Sequence, residues 1–202
     1  MFWLSPGKTL SKKDDYMKNA VAFGNGIRIL KQDLWETIVS FIISANNNIP
    51  RIQGIIDRLC EKFGKPLEYN GKTYFSFPDA EKIQGDLSFL RAGYRDSYIK
   101  DACGKALSGE IDLNNIRTLS TEDARKNLLK ICGIGPKVCD CILLFGLSKC
   151  EVFPVDVWVR RSVSALYETE EDPRQFANNK FGDLAGYAQQ YLFYYMRETN
   201  SK

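Results

Sequence analysis

Apolar residues recur along most of this chain at helical three- and four-residue spacing, and the segments that carry them are parted by short Gly, Pro, Asn and Asp punctuation. The pattern predicts an all-α protein. Asp33 is the expected cap of a strongly apolar helix running to about Ala45, and Ile49 to Phe63 forms the next. Residues 79–90 read as one or two short turns, and 94–107 as a helix closed by Gly109. Thr121 opens a helix over 122–131, Pro136 opens one to about Leu147, Asp156 caps one to Leu166, and Asp183 precedes a last helix ending near Glu198. The stretch 65–77, with Tyr74, Phe75 and Phe77 among turn signals, is expected to be an irregular loop or a small hairpin. No internal repeat, low-complexity linker or block of like charge appears.

Composition narrows the chemistry. The 202 residues include 28 Lys plus Arg against 25 Asp plus Glu, a net charge of +3, and no histidine. Without imidazole there is no His-based acid/base catalysis, no Ser-His-Asp or Cys-His nucleophile, and no metal site that needs a histidine ligand. Reactive groups must come from Lys, Cys, Asp, Glu or Tyr. The six cysteines match no zinc-ribbon or four-cysteine iron–sulfur spacing, so no structural metal cluster is expected, and the thiols should be reduced; an organic cofactor is not expected either. The longest apolar stretches, 37–45 and 141–147, fall well short of the ~20 residues a bilayer span needs. Charges at Lys8, Lys12, Lys13, Asp14, Asp15 and Lys18 break up any secretory signal, so an intracellular location is expected.

The most informative segment is LLKICGIGPKVCDCILLFGLSKCEVFPVDVWVRR, residues 128–161. A helix ends, Gly133-Ile134-Gly135 makes a tight turn, and Pro136 starts another helix at once, giving a hairpin over 128–147. Such a turn can present unpaired N–H groups, with Gly133, Gly135 and Val138 as candidates, to a phosphate at a helix N-terminus. Taken alone, Gly-x-Gly is just as often a plain turn. Lys137 and Cys141 follow at i, i+4 on one helical face, and Asp156 comes after Pro154-Val155. The plainer roles are a phosphate contact for Lys137 and a helix cap for Asp156. The sharper ones are an amine nucleophile that forms a Schiff base with a sugar carbon, and a carboxylate that supports a developing oxocarbenium ion.

Together the turn-Pro-Lys element, the Pro-Val-Asp that follows and the upstream Asn46-Asn47-Asn48-Ile49 resemble the helix-hairpin-helix DNA glycosylase superfamily, and specifically its 8-oxoguanine (Ogg) branch, from about Gly26 to Arg197. The resemblance implies a two-lobed helical fold with its active site in the cleft between the lobes. It also implies a bifunctional enzyme that flips 8-oxoguanine out of duplex DNA, cleaves its glycosidic bond and nicks the strand by β-elimination. Lys137 then matches the nucleophile and Asp156 the supporting aspartate. Cys141 and Phe193 match the residues that sandwich the flipped base, and Gln189 the amide at its Watson–Crick edge. Gln189 and Phe193 are also i, i+4 on the predicted last helix, a spacing that lets both face one pocket. Asn46, Arg51, Tyr94 and Arg95 match the group that fills the vacated stack and contacts the orphaned cytosine.

Two departures accompany the resemblance. Only residues 1–25 precede the matching stretch, so the expected organisation is a short N-terminal segment, a remnant or a short helix, before a glycosylase core over 26–202, without the β-rich domain of longer relatives. Trp158 stands where many relatives carry a histidine. The expected partner is double-stranded DNA containing an oxidised purine, bound by a monomer without membrane association. The rival readings are a non-catalytic helix-hairpin-helix DNA-binding module and a glycosylase for another damaged base.

Overall fold

A computed structural model of the chain describes residues 6–199. In chain order its helices begin with α1 (Pro6–Leu10), α2 (Asp15–Phe23), α3 (Leu34–Ser44) and α4 (Ile49–Phe63). A hairpin of β1 (Pro66–Tyr69) and β2 (Lys72–Phe75) follows, then α5 (Arg95–Ser108), α6 (Thr121–Leu128) and α7 (Pro136–Leu147). The last three are α8 (Val157–Tyr167), α9 (Pro173–Phe181) and α10 (Ala185–Thr199), with short 3-10 turns at Ala80–Lys82, Ser88–Leu90, Asn115–Arg117 and Gly182–Leu184. No helix among the described residues is long and apolar enough to cross a membrane.

Local chemistry sets most boundaries where the pattern predicts them. The Asp33 carboxylate accepts from the Glu36 N–H at 3.0 Å and starts α3, and Gly109, at φ +76°, ends α5 in the left-handed region that costs glycine least. Residues 65–77 form a hairpin, because Asn70 (φ +51°) and Gly71 (φ +70°) give the two left-handed positions of a primed turn. Both boundaries of α6 move: Ser120, not Thr121, caps it, accepting from the Asp123 N–H at 3.1 Å. That helix stops at Leu128 rather than Ile131, because Lys130 and Ile131 donate to Asn127 and Leu128, three residues back, and tighten the chain into the hairpin turn. Helix α9 has no counterpart among the predicted elements. Its buried face is only Pro173, Ala177 and Phe181, one residue per turn, too thin a stripe to stand out in a polar segment.

The chain divides into two compact units, and the division falls inside α7. One unit runs from Gln32 to Ile142; the other joins the segment up to Lys31 to everything from Leu143 onward. In the first, Leu34, Ile38, Ile42, Ile55, Leu59, Leu90 and Ile99 are fully buried between α3, α4 and α5. In the second, Leu10, Met17 and Ala20 of the N-terminal helices join Phe153, Val159, Val163, Phe181, Ala188, Tyr191 and Leu192 in one core. The N-terminal segment is therefore an integral layer of that unit, with α2 packed on α10.

Candidate active site and nucleic-acid interface

The unit spanning 32–142 carries the hairpin turn and the first part of α7. Gly135 supplies the first acceptor of α7, its carbonyl taking the Cys139 N–H at 2.9 Å. The donors of the first turn beyond Pro136, on Lys137 and Val138, then have no intrahelical partner and are available to an anion. Gly133 sits at φ +84° with the Tyr98 ring of α5 packed directly against it. Helix α5 pins the same turn twice more. The Asp101 carboxylate accepts the Cys132 N–H at 2.8 Å, and the Lys105 ammonium donates to the Lys130 carbonyl at 2.6 Å and to Asp101 at 2.9 Å. Burial alone would raise the Asp101 carboxyl, but the bonds from Cys132 and Lys105 outweigh it and hold its pKa below the ordinary value. An ion pair from the partly exposed Arg125 of α6 to the buried Asp140 of α7 ties the two hairpin helices together.

Lys137 stands half-buried on the first turn of α7, with its ammonium 5.7 Å from the centroid of the Phe41 ring on α3. Among the described residues it makes no hydrogen bond or ion pair. Cys141, one turn further along the same helix, is buried. Expected as neighbours on one helical face, these two are brought together as the spacing requires.

The Asn46-Asn47-Asn48 loop between α3 and α4 assigns each asparagine a separate job. Asn47 donates from its amide to the Ile43 carbonyl at 3.0 Å and closes α3, while Asn48 caps α4 by accepting the Arg51 N–H at 3.1 Å. Asn46, at φ +48°, is exposed. Tyr94 is also exposed, at 53%, and stacks edge-on against Tyr98 with centroids 5.5 Å apart. Arg51 is exposed and reaches the Arg91 carbonyl at 3.2 Å.

Arg95 is placed differently from its three companions. It is only 3% exposed, and its guanidinium donates to the carbonyls of Ala45 (Nε, 3.1 Å), Asn46 (Nη2, 2.9 Å) and Ala92 (Nη1, 3.1 Å), with Cζ 4.5 Å from the Tyr94 ring centroid. In this state the fork is committed to backbone oxygens, so Arg95 holds the Asn46 loop and underlies Tyr94.

The unit containing the two chain termini carries the remaining expected residues. Asp156 is the N-cap of α8, its Oδ1 accepting the Val159 N–H at 2.7 Å, which leaves a half-exposed carboxylate at a helix N-terminus. Gln189 and Phe193 lie one turn apart on α10, the first buried and the second half-buried. Phe193 helps line an apolar cavity of about 250 Å³ between α8 and α10 with Trp158, Val163, Leu192 and Met196. Trp158 is 64% exposed, a large aromatic at the mouth of that cavity. Sequence reasoning missed Tyr98, Phe41 and the Arg125–Asp140 pair, because each acts through a neighbour distant in sequence and carries no local signature.

The chain that carries this glycine turn, lysine-bearing helix and capping carboxylate is similar to known proteins along most of its length. The chain belongs to the HhH-GPD superfamily of base excision DNA repair proteins, whose model matches residues 39–184, and the N-terminal domain of 8-oxoguanine DNA glycosylase matches residues 5–38. Among solved structures it is similar to MBOgg1 in complex with a low-affinity DNA ligand, with TM-score 0.92, 48% identity, and coverage of 96% of this chain and 70% of that one. It is likewise similar to the Clostridium acetobutylicum 8-oxoguanine glycosylase/lyase in complex with double-stranded DNA containing cytosine opposite 8-oxoguanine (TM-score 0.90, 45% identity, 96% and 70% covered). A probable N-glycosylase/DNA lyase of Methanothermobacter thermautotrophicus is 33% identical over 215 residues, 93% of this chain and 69% of that protein.

Proposed function

We propose that this chain is a bifunctional DNA glycosylase and abasic-site lyase of base excision repair, acting as a monomer inside the cell on 8-oxoguanine in duplex DNA, with cytosine as the preferred opposite base. The observation that carries the reading is the presence of two residues in one member of this superfamily: Lys137 on the first turn of the hairpin helix and Asp156 as the cap of α8. A plain DNA-binding hairpin needs neither in combination. Similarity at 45% identity to an 8-oxoguanine glycosylase/lyase supports the choice of lesion.

In this reading the hairpin N–H groups around Gly133, Gly135 and Val138 grip a backbone phosphate, and Asn46, Arg51 and Tyr94 occupy the stack the lesion vacates. Cys141 and Phe193 face the two sides of the flipped base, and Gln189 donates to or accepts from its edge. The Lys137 amine attacks C1′ through its nitrogen lone pair as the bond to N9 breaks; the base leaves with its electron pair and takes up a proton, while the nitrogen sheds one. Asp156 stabilises the positive charge that develops on the sugar. The resulting imine acidifies the C2′ hydrogen; loss of that proton expels the 3′ oxygen and nicks the strand.

Borohydride trapping on a duplex with a single 8-oxoguanine opposite each of the four bases tests the proposal. The expected result is a covalent adduct that needs both lesion and Lys137, is abolished in Lys137→Gln, and is strongest opposite cytosine. DNA binding without adduct or released base would favour the non-catalytic module. An adduct only on another damaged base would reassign the lesion.

A further inference from the structure

Resting on the proposed nucleophile, we infer that Phe41 is a positioning residue for Lys137: its ring face seats the amine at the start of α7 before the sugar arrives. Three observations converge on this. The Lys137 ammonium lies 5.7 Å from the Phe41 centroid, within the range of a cation–π contact. The lysine has no hydrogen bond or ion pair among the described residues to fix its four-carbon stem, so the ring is the group that narrows its rotamers. Both side chains are half-buried, where solvent screens such a contact less than at an exposed site.

The position of Phe41 has a second consequence. It lies on α3 less than two turns before the Asn46 loop, and that loop is held by the Arg95 guanidinium. One helix end therefore carries both the residue offered to the vacated stack and the ring that seats the nucleophile.

Single-turnover borohydride trapping at saturating DNA, measured beside the dissociation constant for the same duplex, tests the role. Phe41→Leu keeps an apolar side chain of somewhat smaller volume and removes the π face. It should slow imine formation about 3- to 10-fold while leaving the dissociation constant and the thermal midpoint near those of the parent. Phe41→Tyr restores a ring and should recover most of the rate. A Leu variant that traps at the parental rate would overturn the inference, as would one that loses rate only in step with stability or DNA affinity. A Tyr variant no faster than Leu would do the same. Failure of Lys137 itself to trap would instead sink the proposed function, and the Lys137→Gln control separates the two outcomes.

Discussion

Gly133→Ala tests whether the hairpin turn is built by close approach or only by flexibility. Gly133 holds φ +84°, and a Cβ there would lie 2.8 Å from Cγ of Tyr98 and closer still to its Cδ2, a distance that real Cβ atoms do not tolerate. The left-handed backbone costs an alanine about 1–2 kcal/mol. Displacing the ring adds about 1–3 kcal/mol, since the clash falls on Cγ and Cδ2, near the base of the Tyr98 side chain and not at its free end. The sum is about 2–5 kcal/mol, measurable as a fall in the urea midpoint at unchanged slope. Gly135→Ala is the internal control. A Cβ at that position meets nothing within 4 Å and its φ is not positive, so its stability should stay within about 0.5 kcal/mol while DNA affinity falls if a phosphate approaches the turn. Combining Gly133→Ala with Tyr98→Ala should cost at least about 1 kcal/mol less than the two single losses together, because the second change removes the clash of the first. Equal stability of the two alanine variants, or strict additivity in the double variant, would refute the packing argument.

The cap and the chemistry of Asp156 separate by substitution. Asp156→Asn keeps an oxygen for the Val159 N–H and should leave the unfolding midpoint almost unmoved while adduct formation drops at least tenfold, whereas Asp156→Ala should also lose about 1 kcal/mol of stability. Arg95→Met strands the carbonyls of Ala45, Asn46 and Ala92 and should cost about 2–4 kcal/mol. It should also flatten the opposite-base preference in trapping assays, and retained stability would show that the guanidinium is not the clamp. The depressed pKa of Asp101 gives a pH dependence with a fixed sign. Its folded value lies below the unfolded ~3.9, so its stabilising effect is complete above that pH and is lost as pH falls through the folded value. The stability gap between the parent and Asp101→Asn, followed by urea titration from pH 7 to pH 2.5, should close in that acid range; a gap that widens there would reverse the assignment.

Local patterns in the sequence determined most of the helical architecture of this protein. The caps at Asp33, Asn48 and Asp156, the glycine stop at 109 and the proline start at 136 act within three or four residues, so a linear pattern carries them in full. The hairpin with Lys137 and Cys141 on one face was legible for the same reason, and so was the i, i+4 pairing of Gln189 with Phe193. Tertiary structure alone decided what each side chain is free to do. Arg95 belongs by motif to the group that meets the orphaned base, yet it is buried against carbonyls 49 and 50 residues away in sequence, because the turn between α3 and α4 leaves those oxygens facing the start of α5. Tyr98 against Gly133, Phe41 beneath Lys137, and the N-terminal helices packed on α10 follow the same logic. Each depends on where a distant element comes to rest, and packing, not periodicity, sets that.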